Sequence, residues 1–438
     1  MNQKEAFKIL NSGHNVLLTG AAGSGKTYLL NKYINSLREQ GIAVAITAST
    51  GIAATHLGGR TIHSWSGIGI KDELTRKDLQ NLAKKTYLKK QFEKTEVLVV
   101  DEISMLSAYH LDMINLVCQT MKKNSLPFGG IQVILSGDFF QLPPINRNSN
   151  KIKFINRAEV WQEMDIRVCY LTDQYRQSDK IFSTLLNNLR LNKLGEEGLK
   201  LLKSRISENQ KEYSSMKITK LYTHNIDVDR VNQLELDKIE AEEKIYQMTS
   251  QGEENLIKVL EKNCLAPQKL VLKKGALVMF VKNKFVNDRV VYVNGSIGLV
   301  IGFNVNYYPR VRLHSGDVID VVPDSWQIND NNEQVLAKIN QLPLRLAWAI
   351  TIHKSQGMTL DEAVIDLSQS FSYGMGYVAL SRLKNLEGLH LLGINDLACQ
   401  VDPQILQYDQ ELLNLSEEAK KNKKSVWRKE QGNLDIFN

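Results

Sequence analysis

Residues 15–27 read NVLLTGAAGSGKT, an apolar run that breaks into glycines and closes on a lysine and a threonine. The last eight letters fill the pattern Gly-x4-Gly-Lys-[Ser/Thr], and YLLNKYINSL at 28–37 follows with the spacing of a helix. Strand, glycine loop and helix in that order predict a phosphate cradle rather than an ordinary glycine-rich turn. Gly20 and Gly25 let the backbone curl so that successive N–H groups face an anion, with Gly23 and Ser24 between them in the loop, and the positive end of the helix adds to the attraction. Lys26 is placed to reach the β and γ phosphates and Thr27 to ligate Mg²⁺, so the expected occupants are ATP and Mg²⁺.

Such a loop needs a metal-ordering carboxylate at the end of a neighbouring strand. VLVVDE at 97–102 supplies one, four apolar residues ended by two acids. Asp101 would order the metal through water and Glu102 would accept a proton from the water attacking the γ-phosphate. A third run, QVILSGD at 132–138, leads into GDFFQLPP, where Gln141 is placed to report on the γ-phosphate or position that water. Short apolar runs separated by longer mixed stretches are the rhythm of parallel strands joined by crossover helices, so the fold class is α/β. A second set of such runs (KLYTH, LAWAITIH, AVIDL) begins beyond Tyr170. Between its halves, residues 271–322 alternate apolar and polar around Asn-Gly and Ser-Gly turns, the pattern of a small inserted β-barrel.

At 438 residues the chain has room for roughly three domains of about 150 residues. With 43% hydrophobic and 24% charged residues it is neither disordered nor a low-complexity chain. Lys and Arg (55) exceed Asp and Glu (48) by 7, which permits a polyanionic partner without demanding one. The four cysteines, Cys118, Cys169, Cys264 and Cys399, have neither metal-ligand nor disulfide-framework spacing. With no apolar leader and no 18-residue apolar window, they predict an intracellular, non-membrane protein of a reducing compartment. The basic stretch 71–94 and the KKNKK run near the C-terminus read as solvated surface.

The order of the stretches GAAGSGKT, TASTGIAA (47–54), GGRTIHSW (58–65), VLVVDEISML, LSGDFFQLPP, LTDQYRQ (171–177), THN (223–225), LKKGALVMFVKN, VNGSIGLV, AITIHKSQGMTLD (349–361) and YVALSRLKNLEGL (377–389) resembles the PIF (petite integration frequency) family of superfamily 1B DNA helicases, relatives of RecD-type helicases. The resemblance spans nearly the whole chain. It implies two RecA-like P-loop domains: 1A at 1–181, carrying a small 1B wedge at about 66–76, and 2A at 182–283 and 343–430. An SH3-like 2B insertion is expected at 284–342 and a tail at 431–438. It further implies that Arg176 and Arg382 act on the γ-phosphate, that Gly357 approaches the nucleotide and that Gln3 reads adenine. The strand contacts it implies are Thr50, Gly51, His63, Asn225, Lys282, Asn283, Thr351 and His353.

The activity implied is ATP-driven 5′-to-3′ movement on single-stranded DNA by a protein that is monomeric when free and acts at single-strand/duplex junctions. G-quadruplexes, repair, recombination and telomere maintenance are family expectations. The rival readings are an RNA or RNA–DNA hybrid remodeller and a nucleotide-gated strand-binding subunit without motor activity. The expected location is the cytoplasm of a bacterium or a phage host.

Overall fold

Apolar runs of five or six residues, too short for helices, become parallel strands. The computed structural model describes residues 1–421 apart from 70, 72, 145–153, 178, 207–217, 225–227, 287, 288, 293, 314 and 330–333. The chain divides into two units, Met1–Arg176 with Val401–Asn438, and Gln177–Gln400. In the first, β1 (Asn15–Gly20), β2 (Val44–Ala48), β3 (Arg60–Thr61), β4 (Val97–Asp101), β5 (Gln132–Ser136) and β6 (Ile166–Leu171) pair in the order β3-β2-β4-β5-β1-β6, all parallel. β4 and β5 are buried at every position, which is why they read as unbroken apolar text rather than as an alternation. The helix Lys26–Glu39 lays Leu29, Leu30, Tyr33, Ile34 and Leu37 onto Val16, Leu18, Val99 and Ile134. Each such side chain contributes about 1.5–3 kcal/mol by leaving water.

The helix Pro403–Lys421, expected with the second lobe, packs instead on β6 of the first unit. Ser416 Oγ accepts from the Tyr170 N–H at 3.2 Å, the Tyr170 hydroxyl donates to Asp409 Oδ1 at 2.8 Å, and Ala419 joins the first unit's core. β6 ends its sheet among the described residues, and this helix takes up one N–H of that edge. The proposed wedge, about 66–76, lies after the short helix Ile62–Ser66 and holds neither helix nor strand among its described residues until Thr75 caps the helix Arg76–Ala83. Lys71 pairs there with Asp78.

The second unit is built on β7 (Lys220–Tyr222), β8 (Ala349–Thr351), β9 (Ala363–Leu367) and β10 (Leu389–Ile394), parallel in the order β8-β7-β9-β10. Its antiparallel insertion is wider than the expected 284–342. One sheet runs Val318–Asp320, Pro309–Leu313, Ile297–Phe303, Leu277–Phe280, Leu344–Leu346. A second joins Asp324–Asn329 and Val335–Gln341 to Thr249–Gly252, far upstream. That upstream strand is polar and exposed throughout, so it carries no alternation to read. The expected tail, 431–438, lies outside the described residues. Among those described, no helix is long and apolar enough to cross a membrane, and the four cysteines are free.

Candidate nucleotide and nucleic-acid site

In the first unit, the glycine loop joins β1 to the helix Lys26–Glu39 with Gly20, Gly23 and Gly25 at φ 142°, 87° and 84°. Both ends of the loop disfavour a side chain, Gly20 by the backbone that faces it and Gly25 by its left-handed conformation. A Cβ on Gly20 would stand 2.5 Å from the Leu171 carbonyl oxygen, and one on Gly25 would stand 2.1 Å from Gln3 Nε2. Lys26 Nζ donates to the carbonyls of Gly20 (2.8 Å) and Ala21 (3.0 Å), so its ammonium lies folded over the loop. Ser24 is fully buried and its hydroxyl has no hydrogen-bond partner among the described residues, while Thr27 is exposed at the start of the helix. An ammonium on the loop, an orphaned buried hydroxyl and a cradle that disfavours side chains fit a polyphosphate.

Gln3 opens the helix Gln3–Leu10, which Asn2 and Glu5 fix through a reciprocal capping box. Its Nε2 donates to the Gly25 carbonyl at 3.5 Å. The Tyr175 N–H donates to the Gly23 carbonyl at 2.9 Å, and its ring, 63% exposed, borders Gly25. Tyr175 is not among the residues expected from the sequence; its signal there is the aromatic beside Arg176 in LTDQYRQ. Arg176 is half-buried and ends the first unit.

Asp101 closes β4, between β2 and β5, and is 7% exposed. Burial pushes its carboxyl above the usual range, opposed by Ser136, the Glu102 N–H and the Lys26 ammonium. Glu102 turns the chain out of the strand at φ 52°, a left-handed conformation that costs a non-glycine residue about 1–3 kcal/mol. Ser49 pins this turn, its Oγ donating to the Glu102 carbonyl at 2.6 Å and its N–H to the Asp101 carbonyl at 3.0 Å. Gln141 is buried after β5 and its N–H donates to the Asp138 carbonyl at 3.0 Å. Asp138, unnamed by sequence reasoning, is wholly buried and accepts from the Phe140 N–H at 3.3 Å. An acid ending an apolar strand was its signal, the same one that marked Asp101. Glycine loop, Asp101, Glu102, Asp138 and Gln141 therefore share the carboxyl edge of one parallel sheet, where open α/β sheets bind ligands.

Also in the first unit, the Thr50 hydroxyl accepts from the Ala53 N–H at 3.3 Å beside Gly51, the first residue of the helix Gly51–His56. His63 is largely buried with its ring edge-on to His110 at 5.0 Å; burial, then His110, lower its pKa to about 4, so the imidazole is neutral near pH 7.

In the second unit, Arg382 is 1% exposed, with Nε donating to the Val378 carbonyl and Nη2 to Ser381 Oγ, both at 2.8 Å. Its guanidinium lies on its own helix, Met375–Leu380, and not at the surface. Gly357 is exposed with φ 79°. Thr351 is buried, its hydroxyl accepting from the Lys354 N–H at 3.3 Å, and His353 stands half-buried two residues beyond β8.

Lys282 and Asn283, expected on the strand, are engaged within the insertion. Lys282 Nζ pairs with Asp324 at 2.8 Å, donates to the Ser325 carbonyl at 2.7 Å and lies 5.2 Å from the Trp326 ring centroid; Asn283 Oδ1 accepts from the Asn294 N–H at 2.7 Å. An ammonium so engaged ties Lys282 to the segment 324–326, and Asn283 is held within the same insertion. Asn225 lies outside the described residues.

The family model for PIF1-like helicase matches residues 1–200, and that for the DNA helicase Pif1 2B domain matches residues 255–303. The ATP-dependent DNA helicase Pif1 of Psychrobacter sp. is 43% identical over 480 residues, covering 96% of this chain and 72% of the relative. The chain spans 62% of the length of the vertebrate relatives from Xenopus laevis and Homo sapiens. Among solved structures, Bacteroides sp Pif1 in complex with ADP-AlF4 superposes with a TM-score of 0.82 at 30% identity, over 94% of this chain and 96% of that one. Bacteroides Pif1 bound to ssDNA superposes at 0.64 and 31% identity, over 96% and 98%.

Proposed function

The chain belongs to the PIF1-like helicase family, and from that premise we propose that it is an ATP-dependent DNA helicase that moves 5′ to 3′ along single-stranded DNA and opens duplexes at single-strand/duplex junctions. The observation that supports this most is the shared sheet edge: a lysine folded over a glycine cradle, a buried aspartate, and a glutamate whose own left-handed backbone turns it out of the strand.

In this reading Lys26 and the N–H groups of the loop bind the β and γ phosphates. Glu102 takes the proton from a water as that water attacks the γ-phosphorus and the bond to the departing ADP oxygen breaks. Gln141 orients the water, and the Arg176 guanidinium meets charge growing on the phosphoryl oxygens. Arg382 is assigned the same role, at the cost of leaving the Val378 carbonyl and Ser381 hydroxyl. Thr27 and Asp101 are the residues that would hold Mg²⁺, which when bound neutralises phosphate oxygens. Gln3 and the Tyr175 ring hold the adenine, and Gly357 keeps its approach to the nucleotide free of a side chain.

Thr50, Gly51, His63, Thr351 and His353 are assigned to the strand, with Asn225 on its motif alone. Neutral imidazoles, hydroxyls and backbone groups grip without reading sequence, as a motor on any sequence requires. The junction substrates extend to G-quadruplexes, the free protein is a monomer, and four unpaired cysteines with bacterial relatives favour a bacterial cytoplasm.

The test is ATP turnover with matched single-stranded DNA and RNA oligonucleotides. Stimulation by DNA, lost in Lys26→Ala, is expected; equal stimulation by RNA redirects the reading to an RNA remodeller, and DNA binding without stimulation to a passive binding subunit.

A further inference from the structure

Three loops leave the carboxyl ends of adjacent strands in the second unit's sheet: His224 two residues after β7, His353 two after β8 and Phe371 four after β9. Their rings meet. Phe371 lies 6.2 Å from His353, nearly parallel at 17°, and 4.9 Å from His224 at 43°. Yet Phe371 remains 55% exposed.

This exposure is built in, because its loop is pinned on both sides. The Ser368 N–H and Oγ donate to Asp366 Oδ1 at 3.0 and 2.6 Å, Asn395 Nδ2 donates to the Ser370 carbonyl at 2.8 Å, and the Gly374 N–H donates to the Gln400 carbonyl at 3.0 Å. The His224 imidazole is held as well, its Nδ1 standing 2.9 Å from Thr223 Oγ. A phenyl ring flanked by two imidazoles on a pinned loop, and still 55% exposed, leaves apolar surface in water.

We infer that Phe371, flanked by His353 and His224, is a stacking shelf for one unpaired nucleobase of the bound strand. The inference rests on the proposed function, and adds a base contact where sequence reasoning placed only strand contacts without base stacking. A single strand suits the shelf because only an unpaired base offers a free face, and stacking on phenyl is indifferent to base identity. The carboxyl edge of a parallel sheet is also where such a ligand is expected.

The test uses the full chain and a fluorescent dT oligonucleotide. Phe371→Leu, which keeps apolar bulk without a π face, should bind about 5- to 160-fold more weakly, the range for losing one stacked base. An abasic site walked along the oligonucleotide should weaken wild type at one position and leave Phe371→Leu unaffected there. Phe371→Trp should retain affinity and show strand-induced quenching beyond that of wild type, which carries five tryptophans. Wild-type affinity in Phe371→Leu, with no added quenching in Phe371→Trp, overturns the shelf while leaving strand binding intact. Absence of strand binding by wild type overturns the helicase reading along with it.

Discussion

Glu102 shows how a residue's role is written partly in letters and partly in backbone. The two acids ending VLVVDE announce a nucleotide site, but only the fold separates them, burying Asp101 and turning Glu102 out at φ 52° under the hold of Ser49. If Glu102 is the general base, Glu102→Gln should lower turnover about 10²- to 10⁴-fold with ATP affinity retained; turnover close to wild type in a single-turnover assay would remove it from that role. Lys282 is the opposite case. A lysine in VKN reads as a phosphate contact, and nothing local reveals that Asp324, 42 residues away, meets it across the insertion. Lys282→Ala should therefore lower stability by about 1 kcal/mol through the lost pair and the lost contact with Trp326. Strand affinity should stay within about twofold, since one phosphate contact is worth more than that at moderate salt; a larger loss would restore the strand contact.

Among elements, the parallel strands were legible because two-sided burial forces continuous apolar runs, and the glycine loop because its spacing has few other uses. The helix Pro403–Lys421 was not: an amphipathic pattern states that one face is covered and leaves open which sheet covers it. Its anchor is the buried pair Tyr170 and Asp409, contributed by segments 239 residues apart. Tyr170→Phe should cost about 1–3 kcal/mol, because the Asp409 carboxyl loses a donor while staying out of water. Chemical denaturation reads this directly, and an unchanged midpoint would mean the helix is anchored by its apolar contacts alone. The polar strand Thr249–Gly252 escaped for a related reason, since its pairing with Val335–Gln341 is made by backbone, to which sequence patterning is blind.

For the whole molecule, the two parallel α/β units and the antiparallel insertion were legible in the sequence, and Gln3, Lys26, Asp101 and Glu102, which it marks, lie around the glycine loop and the end of β4. Tyr175, Asp138 and Phe371 were not legible there, because only folding sets Tyr175 on the glycine loop, buries Asp138 and places two imidazoles beside Phe371. In the proposed function, hydrolysis on the first unit's sheet edge drives directed movement along a DNA strand. Strand displacement from 5′-tailed, 3′-tailed and blunt duplexes, with ATP and Mg²⁺, tests it most directly. Release of the 5′-tailed duplex alone, abolished by Lys26→Ala, is the predicted result; release of the 3′-tailed duplex alone, or of none while ATP is turned over, would contradict it.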